Sequence, residues 1–198
     1  MVYLRKGKSG VLLAFGGFQT AYPSSREPDN PTWNWDSRPF SDIFIYDIYS
    51  NTWYLQNATG DLPIPRQEFC VGVSAAPDDS SFQITIHGGW DNVAEVPYSD
   101  VYVLSVPSFQ WIKIMDSGNP DSMDQASDIG RNRHKCDVWN EAQLLVTGGV
   151  ITSGVKVHLN EYCDQRYPPF KVLDTSTCGG RASIPNWITR YLTLSRQS

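Results

Sequence analysis

Two stretches of the chain repeat each other and decide its architecture. Residues 41–53 read Ser-Asp-Ile-Phe-Ile-Tyr-Asp-Ile-Tyr-Ser-Asn-Thr-Trp, and residues 99–111 read Ser-Asp-Val-Tyr-Val-Leu-Ser-Val-Pro-Ser-Phe-Gln-Trp. The copies align without a gap at an offset of 58 residues, and the identical positions are Ser41/Ser99, Asp42/Asp100, Ser50/Ser108 and Trp53/Trp111. Self-similarity at a fixed period predicts a repeat architecture in which each copy is one supersecondary unit.

An apolar strand that ends in a glycine pair precedes each copy and occurs a third time later in the chain. The three cases are residues 11–15 before Gly16-Gly17, 82–87 before Gly88-Gly89, and 142–147 before Gly148-Gly149. A further strand, opened by Arg66 or Arg131, comes before the second and third pairs. Each unit therefore contains four strands. The Trp of its last strand carries more apolar surface than one sheet can bury, so we expect it to lie against the next copy.

A glycine pair, an aromatic strand and then a Trp together resemble the kelch repeat, whose units are the blades of a β-propeller. The resemblance covers about residues 1–178. It implies an all-β, partial kelch-type β-propeller of about three blades of four antiparallel strands, the first and last incomplete or degenerate. The sequence at residues 79–81 and 104–111 also resembles that of the large extracellular kelch-propeller proteins of fungi.

The repeat divides the chain into units of unequal completeness. We predict a first blade at 1–63 that lacks most of its first strand, a complete blade at 64–116, a degenerate third blade at 117–178, and a tail of uncertain structure at 179–198. In the third unit, residues 170–174 take the place of the aromatic strand. Gly180 then stands where the Trp should be, unless Trp187 substitutes after an insertion.

Closed propellers use about four to eight blades. Two or three blades leave two open flanks, each with an apolar face that a neighbour would cover. We therefore expect this chain to be a fragment of a longer propeller, with the remaining blades in a longer parent or in a partner chain. The alternatives are an incomplete gene product and a unit that needs partners to close.

Composition excludes several classes of function. The chain has 198 residues, with 16 Lys+Arg against 21 Asp+Glu and a formal charge of −5, so it has no basic face for nucleic acid. No apolar run approaches the roughly 20 residues that a membrane span needs. The apolar residues 11–15 follow three cations, but they are too short and lack a cleavage pattern, so we expect no signal peptide in this chain.

Long connections are expected on one face of the propeller, where binding residues concentrate. In a four-stranded blade, the connections after the second strand and before the first emerge on a common face, and here they are residues 18–40, 90–98, 150–168, 56–65 and 116–130. Trp33 and Trp35 lie two apart in the first of these loops and can stack on a sugar ring or a partner's side chain. The alternative is that they cover a neighbouring blade or their own loop. Trp90 and Asp91 follow the second glycine pair and can contribute similarly.

Three polar residues are predicted to lie at the mouth of the central channel, because the first strand of a blade is innermost. Arg66, Arg131 and His134 can meet an acidic ligand there. The alternative for the arginines is a hydrogen bond to the carbonyls of neighbouring blades.

The four cysteines do not make a disulfide scaffold, and no pair has C-x-x-C spacing. Cys136 on the first strand of the third unit and Cys163 before its third strand form our predicted intrablade disulfide. Cys70 is shifted by one position relative to Cys136, so we expect it to point inward as an ordinary apolar residue. Asn57 begins the only N-glycosylation sequon that is free of proline.

No catalytic constellation is recognisable. His87, His134 and His158 give no H-E-x-x-H motif, and there is no G-x-S-x-G motif. His134 and Cys136 are too close and too isolated along the chain to predict a metal site, so we expect no metal and no cofactor. Some kelch-type propellers are copper-radical galactose oxidases, but no motif here places the tyrosine and histidine ligands or the cysteine–tyrosine crosslink.

We therefore expect a non-catalytic binding scaffold that recognises a protein or carbohydrate ligand through the long loops of one face, without nucleic-acid or membrane contact. The resemblance implies an extracellular or cell-surface parent. The alternatives are an intracellular kelch adaptor for protein–protein interaction and part of a copper-dependent, galactose-oxidase-like propeller enzyme.

Overall fold

The computed structural model describes residues 1–20, 35–116, 130–153, 156–157 and 170–174. This part of the chain is all-β and forms several separate sheets. Its strands are β1 (Val2–Leu4), β2 (Val11–Ala14), β3 (Phe18–Thr20), β4 (Trp35–Ser37), β5 (Asp42–Asp47), β6 (Thr52–Asn57), β7 (Thr59–Gly60), β8 (Cys70–Ala75), β9 (Phe82–Asp91), β10 (Val96–Val106), β11 (Gln110–Met115), β12 (Arg131–Asn132), β13 (Lys135–Trp139), β14 (Gln143–Thr147), β15 (Val150–Ser153), β16 (Lys156–Val157) and β17 (Phe170–Asp174). It contains no helix with the length and apolarity that a membrane crossing requires.

The first unit is a four-stranded antiparallel sheet in the order β1-β2-β5-β6. The short stretch Val2-Tyr3-Leu4, predicted as the remnant of the first strand, pairs along its whole length with β2. Trp53 lies on the outer strand β6 and faces Tyr46 of β5 across the pair. Between β2 and β5 the chain leaves the sheet and forms the small hairpin β3–β4. The predicted order of strands in this unit is confirmed.

The second unit is complete and has the same order, β8-β9-β10-β11. Trp111 is on its outer strand, as the repeat predicts. A fifth strand, β7, comes from the end of the first unit and pairs parallel with β11, so it covers the outer edge of the second sheet. The stretches 41–53 and 99–111 lie in different sheets, as blades of a propeller require.

The third unit contributes the sheet β13-β14-β17. The predicted third strand at residues 170–174 is confirmed as β17, which pairs antiparallel with β14. A separate small sheet joins β12 to the hairpin β15–β16, in the connection that follows the third glycine pair. Gly180 and Trp187, between which the prediction for the outer strand was left open, lie outside the described residues.

The predicted long connection at 90–98 is wrong. β9 continues through the glycine pair to Asp91 and β10 begins at Val96, so only residues 92–95 connect the two strands. The pairing shifts register between Tyr98 and Val101, which marks an irregularity in β10. The reason is that both strands continue past the glycine pair and project beyond the sheet as a hairpin. The prediction ended the strand at the glycines and therefore assigned these residues to a loop.

The glycine pair of the second unit is required by a close approach of backbone. Gly88 has a φ of +64°, and a Cβ at this position would lie 2.5 Å from the carbonyl oxygen of Arg131. Gly89 has a φ of +114°, and its Cβ would lie 2.8 Å from the carbonyl oxygen of Gln67. Both positions combine left-handed backbone with a neighbouring chain that leaves no room for a side chain. The positive φ recurs at both glycines of all three pairs, whereas Gly17 and Gly148 have open space around a Cβ, so backbone conformation is the requirement that the pairs share.

The sheets stack on one another and bury their facing side chains. Buried residues of the first sheet join those of the second in one core, whose centre is Trp111, at 1% exposure. The Trp111 indole Nε1 donates to the carbonyl oxygen of Phe40 at 2.9 Å. The prediction that this Trp lies against the next copy is therefore wrong, because the face of the second sheet that carries Trp111 packs on the first unit. A smaller second core lies between the second and third sheets and contains Val101, Leu144 and Leu173. Each pair of neighbouring units is therefore held by its own apolar interface.

Candidate functional site

The predicted recognition face is the end of the sheets at which the glycine pairs lie. The chain leaves this end after β2 and after β14, and in both places it forms a two-stranded hairpin, β3–β4 or β15–β16. The short turn after β9 emerges at the same end. β12, which leads into the third unit, pairs with β15 and ties that insertion to the frame.

Arg66 anchors this face from within the second unit. Its side chain is 0% exposed. Its guanidinium donates from Nε to the carbonyl of Ile64 at 3.0 Å, from Nη1 to the carbonyl of Gly88 at 3.3 Å, and from Nη2 to Asp100 Oδ2 at 3.0 Å. Nη1 makes a second contact with Asp100 Oδ1, which completes a bidentate ion pair. Arg66 therefore fixes the lead-in segment, the glycine pair and the third strand relative to one another.

Arg131 occupies the corresponding place in the third unit. It is buried, and its Nη1 donates to the carbonyl of Gly148 at 2.8 Å, just as Arg66 donates to the carbonyl of Gly88. Burial lowers the pKa of Arg131 from its ordinary value. In both units the buried arginine ahead of the first strand donates to the carbonyl of the first glycine of the pair.

Asp91 shapes the turn between β9 and β10. Its Oδ1 accepts from the backbone N–H groups of Val93 at 2.8 Å and Ala94 at 3.0 Å, and its Oδ2 accepts from the Tyr98 hydroxyl at 3.1 Å. Burial acts to raise the pKa of Asp91, but these hydrogen bonds outweigh it and hold that pKa below its usual value. Burial and the bond to Asp91 raise the pKa of Tyr98, whose ring stacks on the Arg66 guanidinium at 3.8 Å from centroid to Cζ.

The structure places the tryptophans predicted for this face in different positions. Trp90 is half-buried at the base of the turn, where its backbone N–H and carbonyl both bond to Gln67, at 2.7 and 3.0 Å. The backbone of Trp35 lies in β4 and pairs with Thr20. Trp33 is outside the described residues. Asn57, the predicted glycosylation site, is exposed at the end of β6.

The predicted disulfide Cys136–Cys163 is wrong, and so is the expectation that Cys70 is an ordinary apolar residue. Cys136 is bonded to Cys70, with 5.3 Å between the two Cα atoms; Cys163 is outside the described residues. The physical reason is that β8 and β13 are the first strands of successive units and pack against each other. The disulfide therefore joins two units, whereas the prediction placed it within one.

Two histidines lie beside this disulfide, between the second and third units. His87 is the cross-strand partner of Cys70, and its Nδ1 is 2.9 Å from His134 Nε2. The His134 Nε2 also lies 3.1 Å from the carbonyl oxygen of His87. Burial lowers the pKa of each imidazole to about 3, and in both cases neighbouring positive charge such as Arg131 adds to the effect. Both rings are therefore neutral at physiological pH.

Sequence reasoning missed the cluster of Cys70, His134 and Cys136, because it weighed only the short spacing of the last two. A signal was present: Cys70 and Cys136 follow the arginine of their units by four and five residues, so they are on the same strand of consecutive units. It also missed Asp100 as the partner of Arg66, although Asp100 is one of the four identities in the repeat.

The outer face of the first unit is apolar and exposed. Trp53 is 58% exposed there and packs against Tyr46 in a tilted arrangement, with 4.9 Å between the ring centroids. A shallow groove on this face is lined by Ala14, Phe15, Gly16, Phe18, Arg38, Phe44 and Trp53. This is the face that corresponds, in the second unit, to the one that contacts the first unit, since Trp53 and Phe44 align with Trp111 and Tyr102.

Comparison with known proteins agrees with this architecture. No protein-family profile matches the chain. A kelch repeat-containing protein of Arthroderma benhamiae (strain ATCC MYA-4681 / CBS 112371) is 31% identical over 148 residues, which cover 73% of this chain and 19% of that protein. The chain thus spans about a fifth of the length of this relative. The sequence similarity, the repeated Gly-Gly and Trp positions and the stacked antiparallel sheets together identify this chain as a kelch-repeat chain with the fold of a partial kelch-type β-propeller.

Proposed function

We propose that this chain supplies blades to a non-catalytic binding scaffold that recognises a protein or a glycan through the loops of one face. The observation that carries the proposal is the placement of the two hairpin insertions. β3–β4 and β15–β16 leave their sheets at the same strand end, so they project on the same side of the scaffold. Insertions that project together from a rigid framework are typical of binding surfaces.

The frame beneath these insertions supports the proposal. Arg66 and Arg131 are buried and each donates to the carbonyl of the first glycine of its pair. Asp91 closes the turn between β9 and β10. Their donors and acceptors serve the scaffold, so in this proposal they hold the loops and do not contact the ligand. Ligand contact is left to Trp90 and to the tryptophans of the first insertion, Trp33 and Trp35.

We further propose an extracellular or cell-surface setting for the whole protein. The disulfide between Cys70 and Cys136 supports an oxidising compartment, because structural disulfides are rare in the cytosol. The exposed sequon at Asn57 is compatible with glycosylation. An intracellular adaptor would instead carry reduced cysteines and an unmodified Asn57, and both states can be read by mass spectrometry of the native protein.

The test of ligand recognition is binding of the purified 198-residue chain to an array of glycans and of purified extracellular proteins. For any ligand found, we expect Trp33→Ala, Trp35→Ala or Trp90→Ala to weaken binding roughly ten-fold, the loss of one stacking contact. The matched control is Trp139→Ala. Trp139 is also exposed, but it ends β13 at the opposite end of the third sheet.

The control defines the outcome that would overturn the proposal. If Trp139→Ala weakens binding as much as the loop variants do, the recognition surface is not the proposed face. If all four variants bind as the parent chain does, the tryptophans of this face are not the contact residues. Unfolding curves of each variant must match the parent chain, so that a loss of binding reports a lost contact and not a lost fold.

A further inference from the structure

Three potential ligands for a thiophilic metal ion meet between the second and third units. Cys70 comes from β8, Cys136 from β13, and His134 from the residue next to β13. Their two Sγ atoms and one imidazole nitrogen all lie within 4.8 Å of one another. Around a zinc ion, bonds of about 2.3 Å to sulfur and 2.0 Å to nitrogen place neighbouring ligand atoms about 3.5 Å apart. The three groups therefore need only small side-chain movements to share one ion.

The histidine is oriented as a metal ligand would be. His134 is almost completely buried, and its Nε2 lies 3.1 Å from the carbonyl oxygen of His87, which can only accept. Nε2 therefore carries the proton, which it directs at this oxygen and at the His87 Nδ1 at 2.9 Å, and Nδ1 carries the free electron pair. Nδ1 is buried and has no hydrogen-bond partner in the described part of the chain. Metal-bound histidines commonly donate their other ring N–H to a backbone carbonyl, as His134 does here.

The buried Nδ1 of His134 has no hydrogen-bond partner in the described part of the chain, and the neighbouring disulfide does not supply one. A buried polar atom without a partner costs about 1–3 kcal/mol. The Cys70–Cys136 disulfide joins the two units but offers the imidazole no hydrogen bond or coordinate bond. A metal ion would satisfy all three groups at once and would still join β8 to β13.

We propose that Cys70, Cys136 and His134 form a metal-binding site in the reduced state of the chain. When the disulfide is reduced, the two thiolates and the His134 Nδ1 bind a d10 cation, Zn²⁺ or Cu⁺. Thiolate ligands select these ions among the common biological metals. The disulfide and the metal are alternative links between the same two units. The interface is thus closed by oxidation in one setting and by metal in the other.

The exchange between the two states balances as a two-electron reduction followed by coordination. A dithiol reductant gives two electrons and two protons to the disulfide, so the S–S bond breaks, two thiols form, and the dithiol becomes a cyclic disulfide. Metal binding then displaces both thiol protons to water, and two metal–sulfur bonds form. The His134 Nδ1 supplies its electron pair without losing a proton.

The test is metal binding by the full chain in its oxidised and reduced forms. After reduction and removal of the dithiol without oxygen, we expect one equivalent of Zn²⁺ or Cu⁺ to bind, measured by competition with a chromophoric chelator for each ion. The oxidised chain should bind neither. Substitution with Co²⁺ should give thiolate-to-cobalt charge-transfer absorption, which reports sulfur ligands directly. Bound metal should also protect both cysteines from alkylation.

Two variants separate the site from chance binding. His134→Ala keeps both cysteines, and we expect it to weaken metal binding by more than the 10–100-fold typical for loss of an outer-shell group. Asp137→Asn alters an exposed potential ligand on the same strand and should bind as the parent chain does. Folding of each reduced chain is checked by circular dichroism.

Three results would overturn the proposal. The first is a reduced, folded parent chain that binds neither ion at one equivalent. The second is equal binding by the oxidised chain, which would place the metal elsewhere. The third is unchanged affinity in His134→Ala, which would leave the imidazole without a role.

Discussion

The second unit has two interfaces, and they are built from different chemistry. Its face toward the first unit is aromatic: Trp111 packs with Phe40 and Phe15, at centroid distances of 5.4 and 5.7 Å. Its face toward the third unit is smaller and contains a disulfide and two imidazoles. The same stacking of sheets is therefore stabilised by buried apolar area in one place and by specific bonds in the other.

The difference follows from how closely the sheets approach. At the second interface, Gly72 faces Leu144, and a Cβ on Gly72 would lie 2.3 Å from the Leu144 Cδ1 atom. Little room is left there for large rings. At the first interface, Phe69 and Phe40 fill the space between the sheets, with 5.3 Å between their centroids. The first interface should thus be indifferent to pH and redox state, and the second should respond to both.

The largest expected effect is at the aromatic interface. Trp111→Ala should lower the free energy of unfolding by about 5 kcal/mol, since it removes a buried ring and leaves the Phe40 carbonyl unpaired. Trp53→Ala removes the aligned residue of the first copy, which is exposed, and should cost about 1 kcal/mol or less. Urea unfolding of both variants measures the difference. Equal costs would mean that the two sheets do not pack through Trp111.

An intermediate effect is expected at the disulfide. The double variant Cys70→Ala/Cys136→Ala should lose about 4 kcal/mol, because the bond closes a loop with a sequence separation of 66 residues and restricts the unfolded chain. Peptide mapping without reductant should find the Cys70–Cys136 link in the parent chain. If mapping finds Cys136 bonded to Cys163, the interface described above is not formed in solution.

The smallest effect expected is a pH dependence of the second interface. His87 and His134 have pKa values of about 3 when folded, against 6.5 for the unfolded chain, so the unfolded state takes up protons first as pH falls. Their contribution to stability is complete well above pH 6.5 and decreases as the pH falls through that value. From pH 7.5 to pH 6 the two histidines together should cost about 1.5 kcal/mol.

A neighbouring lysine and a histidine variant test whether this pH dependence arises from the two histidines. Lys171, whose pKa burial lowers to about 8, titrates mainly above this range. His87→Leu should reduce the slope of unfolding free energy against pH by about half. An unchanged slope in that variant would show that the acid sensitivity arises elsewhere in the chain.

Much of the fold could be predicted because it depends on local pattern. The glycine pairs recur in all three units, while the arginine-led strands and the Trp strands each recur in two, so comparison of the units along the chain located them. The candidate site was less predictable. The strands of the β9–β10 hairpin continue past their glycines, and the partners of Arg66 and Cys136 are 34 and 66 residues away along the chain.

Trp53 and Trp111 separate what each level of structure decides. Sequence by itself determined that both lie on the outer strand of a four-stranded sheet, because strand periodicity and the repeat depend only on nearby residues. Tertiary structure alone decided that one is 58% exposed and the other 1% exposed. The physical reason is that the burial of this side chain depends on whether another sheet packs against it. Trp111 packs against the first unit. Trp53, in the equivalent strand, remains at the surface because the described part of the chain places no sheet against it.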